Sequence, residues 1–105
     1  MIENKEKLIT YLNSVVNSVF KILPLYEEDN VGIETYVESL LFELYGLDKV
    51  VDVKNSYEYI SLLSTLESVK VEVTRKESKK SVVKREIFKC INIIKNMVTK
   101  LEEGE

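Results

Sequence analysis

The last third of the chain limits the fold more than any other stretch. Val83, Ile87, Cys90, Ile91, Ile94, Val98 and Leu101 recur at intervals of three and four, with Arg85, Lys89, Asn92, Asn96 and Lys100 on the opposite side. Held over about five turns, this spacing predicts a long amphipathic helix from near Ser81 to Leu101. Its apolar stripe needs other helices to cover it.

Similar stripes lie upstream. A first helix is expected from about Glu3 to Leu23, with Leu8, Leu12, Val15, Val16, Val19 and Leu23 inward and Ile9 and Phe20 beside them. Pro24 disfavours helical geometry at Leu23 and brings no amide donor, so it stops or kinks that helix. Leu25 to Gly32 then reads as a connection, with a turn at Asp29-Asn30-Val31-Gly32. A second helix should span Ile33 to Tyr45, with Ile33, Val37, Leu40, Leu41 and Leu44 inward. Gly46 suits a left-handed C′ position, which would fold Leu47 back onto Phe42. The segment from Leu47 to Val53 fits either a further helical turn or an extended piece.

Asn55-Ser56-Tyr57-Glu58 has the form of a capping box with Asn55 as the cap. It opens a third helix with Tyr59, Leu63 and Leu66 as its stripe, widened by Ile60, Leu62, Val69 and Val73. Val69-Lys70-Val71-Glu72-Val73 alternates like a strand. A lone strand has no ladder partner here beyond Val50 to Val53, so helix is the better reading. The expected fold is one all-α domain over residues 1–105, a small antiparallel up-down-up-down four-helix bundle. Leu12, Val16, Val19, Leu40, Leu44, Leu63, Leu66, Ile87, Ile91 and Ile94 lie near the centres of the apolar arcs and form the expected core.

Composition narrows the chemistry. The chain has no histidine, which removes imidazole acid–base catalysis and His-containing metal sites. It also lacks Ala, Gln and Trp, a bias that often accompanies an AT-rich genome. One cysteine allows no internal disulfide and fits a reducing compartment, so the expected location is the cytoplasm. Cys90 sits mid-stripe, as a small buried hydrophobe would. No apolar run approaches the ~18 residues of a bilayer span, and the first residues lack a signal-peptide layout. The scattered glycines build no phosphate-cradling loop. Glu27, Asp29, Gly32 and Glu38 echo a calcium-loop frame, but Val31 and Glu34 occupy two of its required positions, leaving an acidic turn. No enzyme activity, cofactor or metal is expected.

Charge is sorted along the chain. Residues 1–69 carry five lysines against twelve acidic residues, whereas 70–89 carry eight basic residues against Glu72, Glu77 and Glu86. Lys79, Lys80 and Lys84 crowd the start of the last helix, where the macrodipole disfavours cations. They either meet acidic Glu34, Glu38 and Glu43 of the second helix or serve an external partner. The candidate partner-binding residues are Lys76, Lys79, Lys80, Lys84, Arg85 and Lys89, together with Phe42 and Phe88 as exposed aromatics. A second candidate surface is the small polar outer face of the first and third helices: Thr10, Ser14, Asn17 and Ser18, and Ser61, Ser64, Thr65 and Ser68.

These features point to a non-enzymatic adaptor, inhibitor or small assembly subunit whose partner is another protein. The alternative is a nucleic-acid-associated accessory subunit that uses residues 70–89 on phosphates. By architecture alone, four amphipathic helices with a long last one resemble the cytoplasmic immunity proteins of bacteriocin producers. That resemblance implies protection by binding, and no sequence motif carries it.

Overall fold

Pro24 divides the first helical segment in two without stopping it. A computed structural model describes residues 5–49 and 56–103. It places α1 at Lys5–Phe20 and a short α2 at Ile22–Glu27. The break falls at Lys21, and the amide of Leu25 still reaches the carbonyl of Lys21 at 3.4 Å. Proline is tolerated here because the first turn of a helix leaves its amides unpaired anyway. The expected connection from Leu25 to Gly32 is therefore shorter, and the first helix's expected start at Glu3 lies outside the described residues.

The end of α2 is a Schellman motif. The Asn30 amide reaches the Leu25 carbonyl at 3.0 Å, and the Asp29 amide reaches that of Tyr26 at 3.1 Å. Asp29 takes the left-handed position itself, with φ 53°. Asn30 Oδ1 then accepts from the Gly32 amide at 2.8 Å, turning the chain into α3, Ile33–Tyr45.

Gly46 does not take the left-handed conformation expected of it. Its φ is −76°, and it leads into a 3-10 turn over Gly46–Lys49. That turn carries Leu47 into the core and away from Phe42, which stands 81% exposed. The expected extended alternative from Val50 to Val53 and the expected cap Asn55 lie outside the described residues. Ser56 caps α4, Tyr57–Thr74, accepting from the Tyr59 amide at 3.2 Å. The cap is thus one residue later than the sequence suggested, and Glu58 is free to pair elsewhere. The alternating stretch 69–73 is helical, and α5 runs from Lys80 to Glu103.

The described residues are all helical or in turns, with no strand, and four longer helices fit a four-helix bundle. α5 packs on α1 and α4, α3 packs on α4, and α2 touches α1, α3 and α5. The twenty-four residues of α5 rise about 36 Å, most of the 44 Å long axis. Its core side chains Val83, Ile87, Cys90, Ile91 and Ile94 meet Leu12, Val16, Val19, Leu40, Leu44 and Leu66 in one cluster. The expected core residue Leu63 is only half-buried, and Leu62 takes its place. Thr65 is buried too, so it leaves the expected polar outer face. Both shifts have one cause: α4 is apolar around much of its circumference, and its neighbours on either side decide which arc is covered.

Among the described residues one segment, Lys5–Glu27, is long and apolar enough to cross a membrane. Its apolar stripe, Leu8, Leu12, Val15, Val16, Val19 and Ile22, is buried in the bundle.

Candidate functional site

The basic residues gather around the start of α5 because the turn after α4 delivers them there. Buried Glu72 organises that turn. Its Oε2 accepts from the Lys79 amide at 3.0 Å, and its Oε1 accepts from Arg75 at 3.4 Å. A carboxylate from the last turn of α4 thus satisfies a free amide at the start of α5. Tyr26 Oη and Ser78 Oγ share a hydrogen bond at 2.7 Å, tying α2 to the same turn.

The cations then divide. Lys70 pairs with Glu38 of α3 at 3.1 Å, and Lys80 pairs with Glu27 of α2 at 2.8 Å. Among the described residues, Arg85 pairs only with its neighbour Glu86 at 3.2 Å. The hydrogen bond from Lys80 holds the Glu27 carboxyl below its usual range, with Lys84 adding a smaller pull. The bond that Lys70 donates to Glu38 holds the Lys70 ammonium above its usual range. The internal balance therefore comes from α2 as much as from acidic α3. Lys76, Lys79, Lys84 and Lys89 are exposed and have no ion pair among the described residues.

Phe88 lies one turn after Lys84 and beside Lys89. It is 42% exposed and meets Phe20 of α1, itself 40% exposed, edge to face at 5.7 Å. Half-exposed aromatic pairs of this geometry present both a flat apolar face and a polarised edge to solvent. The structure therefore sets Lys84 and Phe88 on the side of α5 next to α1 and adds Phe20, expected as a flank of the core, whereas Arg85 lies about 100° round the helix in the groove toward α4. No local signal marks Phe20, since its partner is contributed by the opposite end of the chain.

Phe42 is not part of this face. α3 meets α4 on the side of Lys70 and Glu67, whereas α5 meets it on the side of Glu58 and Glu72. Phe42 lies on an outer surface with Glu34 and Glu38, near Tyr45, whose hydroxyl donates to Glu67 at 2.8 Å. That bond raises the Tyr45 phenol above its usual range.

Between α4 and α5 lies an open groove of about 490 Å³, where Ser64 and Ser68 face Arg75 and Arg85. Both arginines are already engaged by Glu72 and Glu86. The acidic turn of the calcium-like frame is dispersed: Glu27 and Glu38 each bind a lysine on a different helix. No described group of three His, Cys, Asp or Glu side chains converges on a point. Cys90 is fully buried, and burial pushes its thiol up to about 12.

No protein family, no curated protein and no solved structure matches this chain.

Proposed function

We propose that this chain is a non-catalytic helical interaction protein, an up-down-up-down antiparallel bundle that binds another protein through the face around Phe20 and Phe88. Contacts between successive helices support the alternation. Glu58 at the start of α4 pairs with Lys100 near the end of α5, and Glu72 near the end of α4 reaches Lys79 before α5. Tyr59 early in α4 reaches Leu44 late in α3. Tyr36 early in α3 reaches Ser18 late in α1 at 2.8 Å.

The observation that carries the binding role is the half-exposed Phe20–Phe88 pair, with Lys84 one turn before Phe88 and Lys89 next to it in sequence, neither holding an ion pair among the described residues. Aromatics in a basic surround supply burial at the centre of an interface and charge at its rim. The lone thiol, buried and unpaired, supports a reducing compartment such as the cytoplasm.

The test is capture from the native host with a tagged chain, wild type beside the double variant Phe88→Ser, Lys84→Glu. A protein retained by the wild type and reduced by on the order of tenfold or more with the variant is expected. Recovery of nucleic acid in place of protein, lost to nuclease and steeply reduced by salt, would overturn this reading in favour of a nucleic-acid accessory role.

A further inference from the structure

The outer ridges of α3 and α5 match. Glu34, Glu38 and Phe42 stand at four-residue steps on α3, all exposed. Lys80, Lys84 and Phe88 stand at the same steps on α5, also exposed. The order is the same, two charges and then an aromatic, and the charges are opposite. We infer that a second copy of this chain docks here: Glu34, Glu38 and Phe42 of one copy lie along Lys80, Lys84 and Phe88 of the next.

This inference rests on the binding role of the Phe20–Phe88 face and names its occupant. Ridges made of residues four apart pack against each other in the commonest helix-crossing class, so the match needs no unusual geometry. In that crossing Phe42 comes to the Phe20–Phe88 pair, and each glutamate comes to a lysine. Glu38 and Lys80 already hold internal partners, Lys70 and Glu27, in exposed ion pairs. Exposed pairs contribute little to stability, so exchanging them for pairs between copies costs little. The two ridges lie on different sides of the bundle, so the contact is head-to-tail: a pair keeps one free basic ridge on one copy and one free acidic ridge on the other, where further copies can add. The sorting of acidic residues into the first two thirds and basic residues into 70–89 follows from such a pairing.

Sedimentation velocity on the purified full chain tests it. At low salt the weight-average mass should rise with concentration past twice the 12.2 kDa monomer and fall back in high salt. The variant Lys80→Glu, Lys84→Glu and the variant Glu34→Lys, Glu38→Lys should each stay monomeric, because each then has two ridges of one sign. An equimolar mixture of the two should associate again. Phe42→Ser, at a position that contributes nothing to the core, should weaken association of the wild-type chain without moving its melting curve. A wild type that stays monomeric throughout, a mixture that does not recover, or a Phe42→Ser chain that associates as the wild type does overturns the inference. Because only purified chain is used, such a failure leaves host-partner capture, and the binding role it tests, standing separately.

Discussion

The hydroxyl of Tyr59, early in α4, donates to the carbonyl of Leu44 at 2.7 Å, in the last turn of α3. The same oxygen lies 3.4 Å from the Tyr45 carbonyl. Terminal carbonyls of a helix lack a partner within it; at this end backbone amides of the following turn serve them, and the buried tyrosine adds a second donor to that of Leu44. The 3-10 turn over Gly46–Lys49 and this bond together stand where the sequence suggested a left-handed glycine ending at Gly46. Tyr59→Phe keeps the ring and removes the donor. It should lower stability by about 1 kcal/mol, because the hydrogen bond between the two helices is lost while the carbonyl keeps its backbone donor. A urea melt reads the effect, and an unmoved midpoint would show that water serves the carbonyl as well as the tyrosine does.

Glu72 joins the end of α4 to the start of α5 through a different chemistry. Removing its carboxylate with Glu72→Ala leaves the Lys79 amide and Arg75 unserved and should cost roughly 1–2 kcal/mol. Amide exchange should rise first at residues 79 to 82, at the start of α5. Protection that falls uniformly over the whole bundle would contradict a local capping role.

Two backbone positions run against residue preference in opposite senses. Gly46 has ordinary helical angles, and a Cβ built there meets nothing within 4 Å. Gly46→Ala should therefore stabilise the fold by roughly 0.4–1 kcal/mol, mainly by restricting the unfolded chain. Asp29 holds a left-handed conformation that glycine adopts without strain. Asp29→Gly should gain roughly 0.5–1 kcal/mol. Thermal melts check both, and a loss at either site would mean that its backbone is held by more than local preference.

Those positions show where sequence stopped being enough. The bounds of α3 follow from its own periodicity, and so does the burial of Ile87, Ile91 and Ile94 on α5. Leu62 and Leu63 are neighbours about 100° apart on a helix with apolar residues on several sides, so periodicity alone cannot rank them. Their order depends on where α3 and α5 sit. Pro24 fits either a stop or a kink, and the choice turns on whether Leu25 and Tyr26 find something to pack on. The candidate site was legible in part. The exposed cations and Phe88 are local facts about one helix face. Phe20 joins them only through the α1–α5 contact, and Glu27 becomes the partner of Lys80 only because α2 continues through the proline.

Cys90 gives a pH signature. Burial raises its thiol from an ordinary value near 9 to about 12. Above pH 9 the unfolded chain loses this proton while the folded chain keeps it, so stability must fall as pH rises. The extra slope relative to Cys90→Val should approach about 1.4 kcal/mol per pH unit between the two values. Equal slopes for the two proteins would mean that the folded thiol ionises in the ordinary range. Consistent with burial, a thiol reagent at neutral pH should modify the native chain far more slowly than the urea-unfolded one.

The basic segment gives the last prediction. Replacing Lys79, Lys80, Lys84 and Arg85 together by Ser removes the partners of Glu27 and Glu86. It also relieves repulsion between Lys80 and Lys84 and the unfavourable placement of cations at the start of α5. The Glu72 bond to the amide at position 79 uses backbone and survives. Lost pairs and relieved repulsion oppose each other, and a small fall in urea midpoint at low salt is expected because Glu27 is left without Lys80. The sign of its pH dependence is fixed by Glu27. A carboxyl held below its ordinary value of 4.5 contributes stability that is present above that pH and lost as pH falls through the lowered value. The gap between wild type and variant should therefore be open at pH 7, narrow in acid and close in high salt. A variant whose midpoint rises would show that these cations burden the fold and are kept for what binds them.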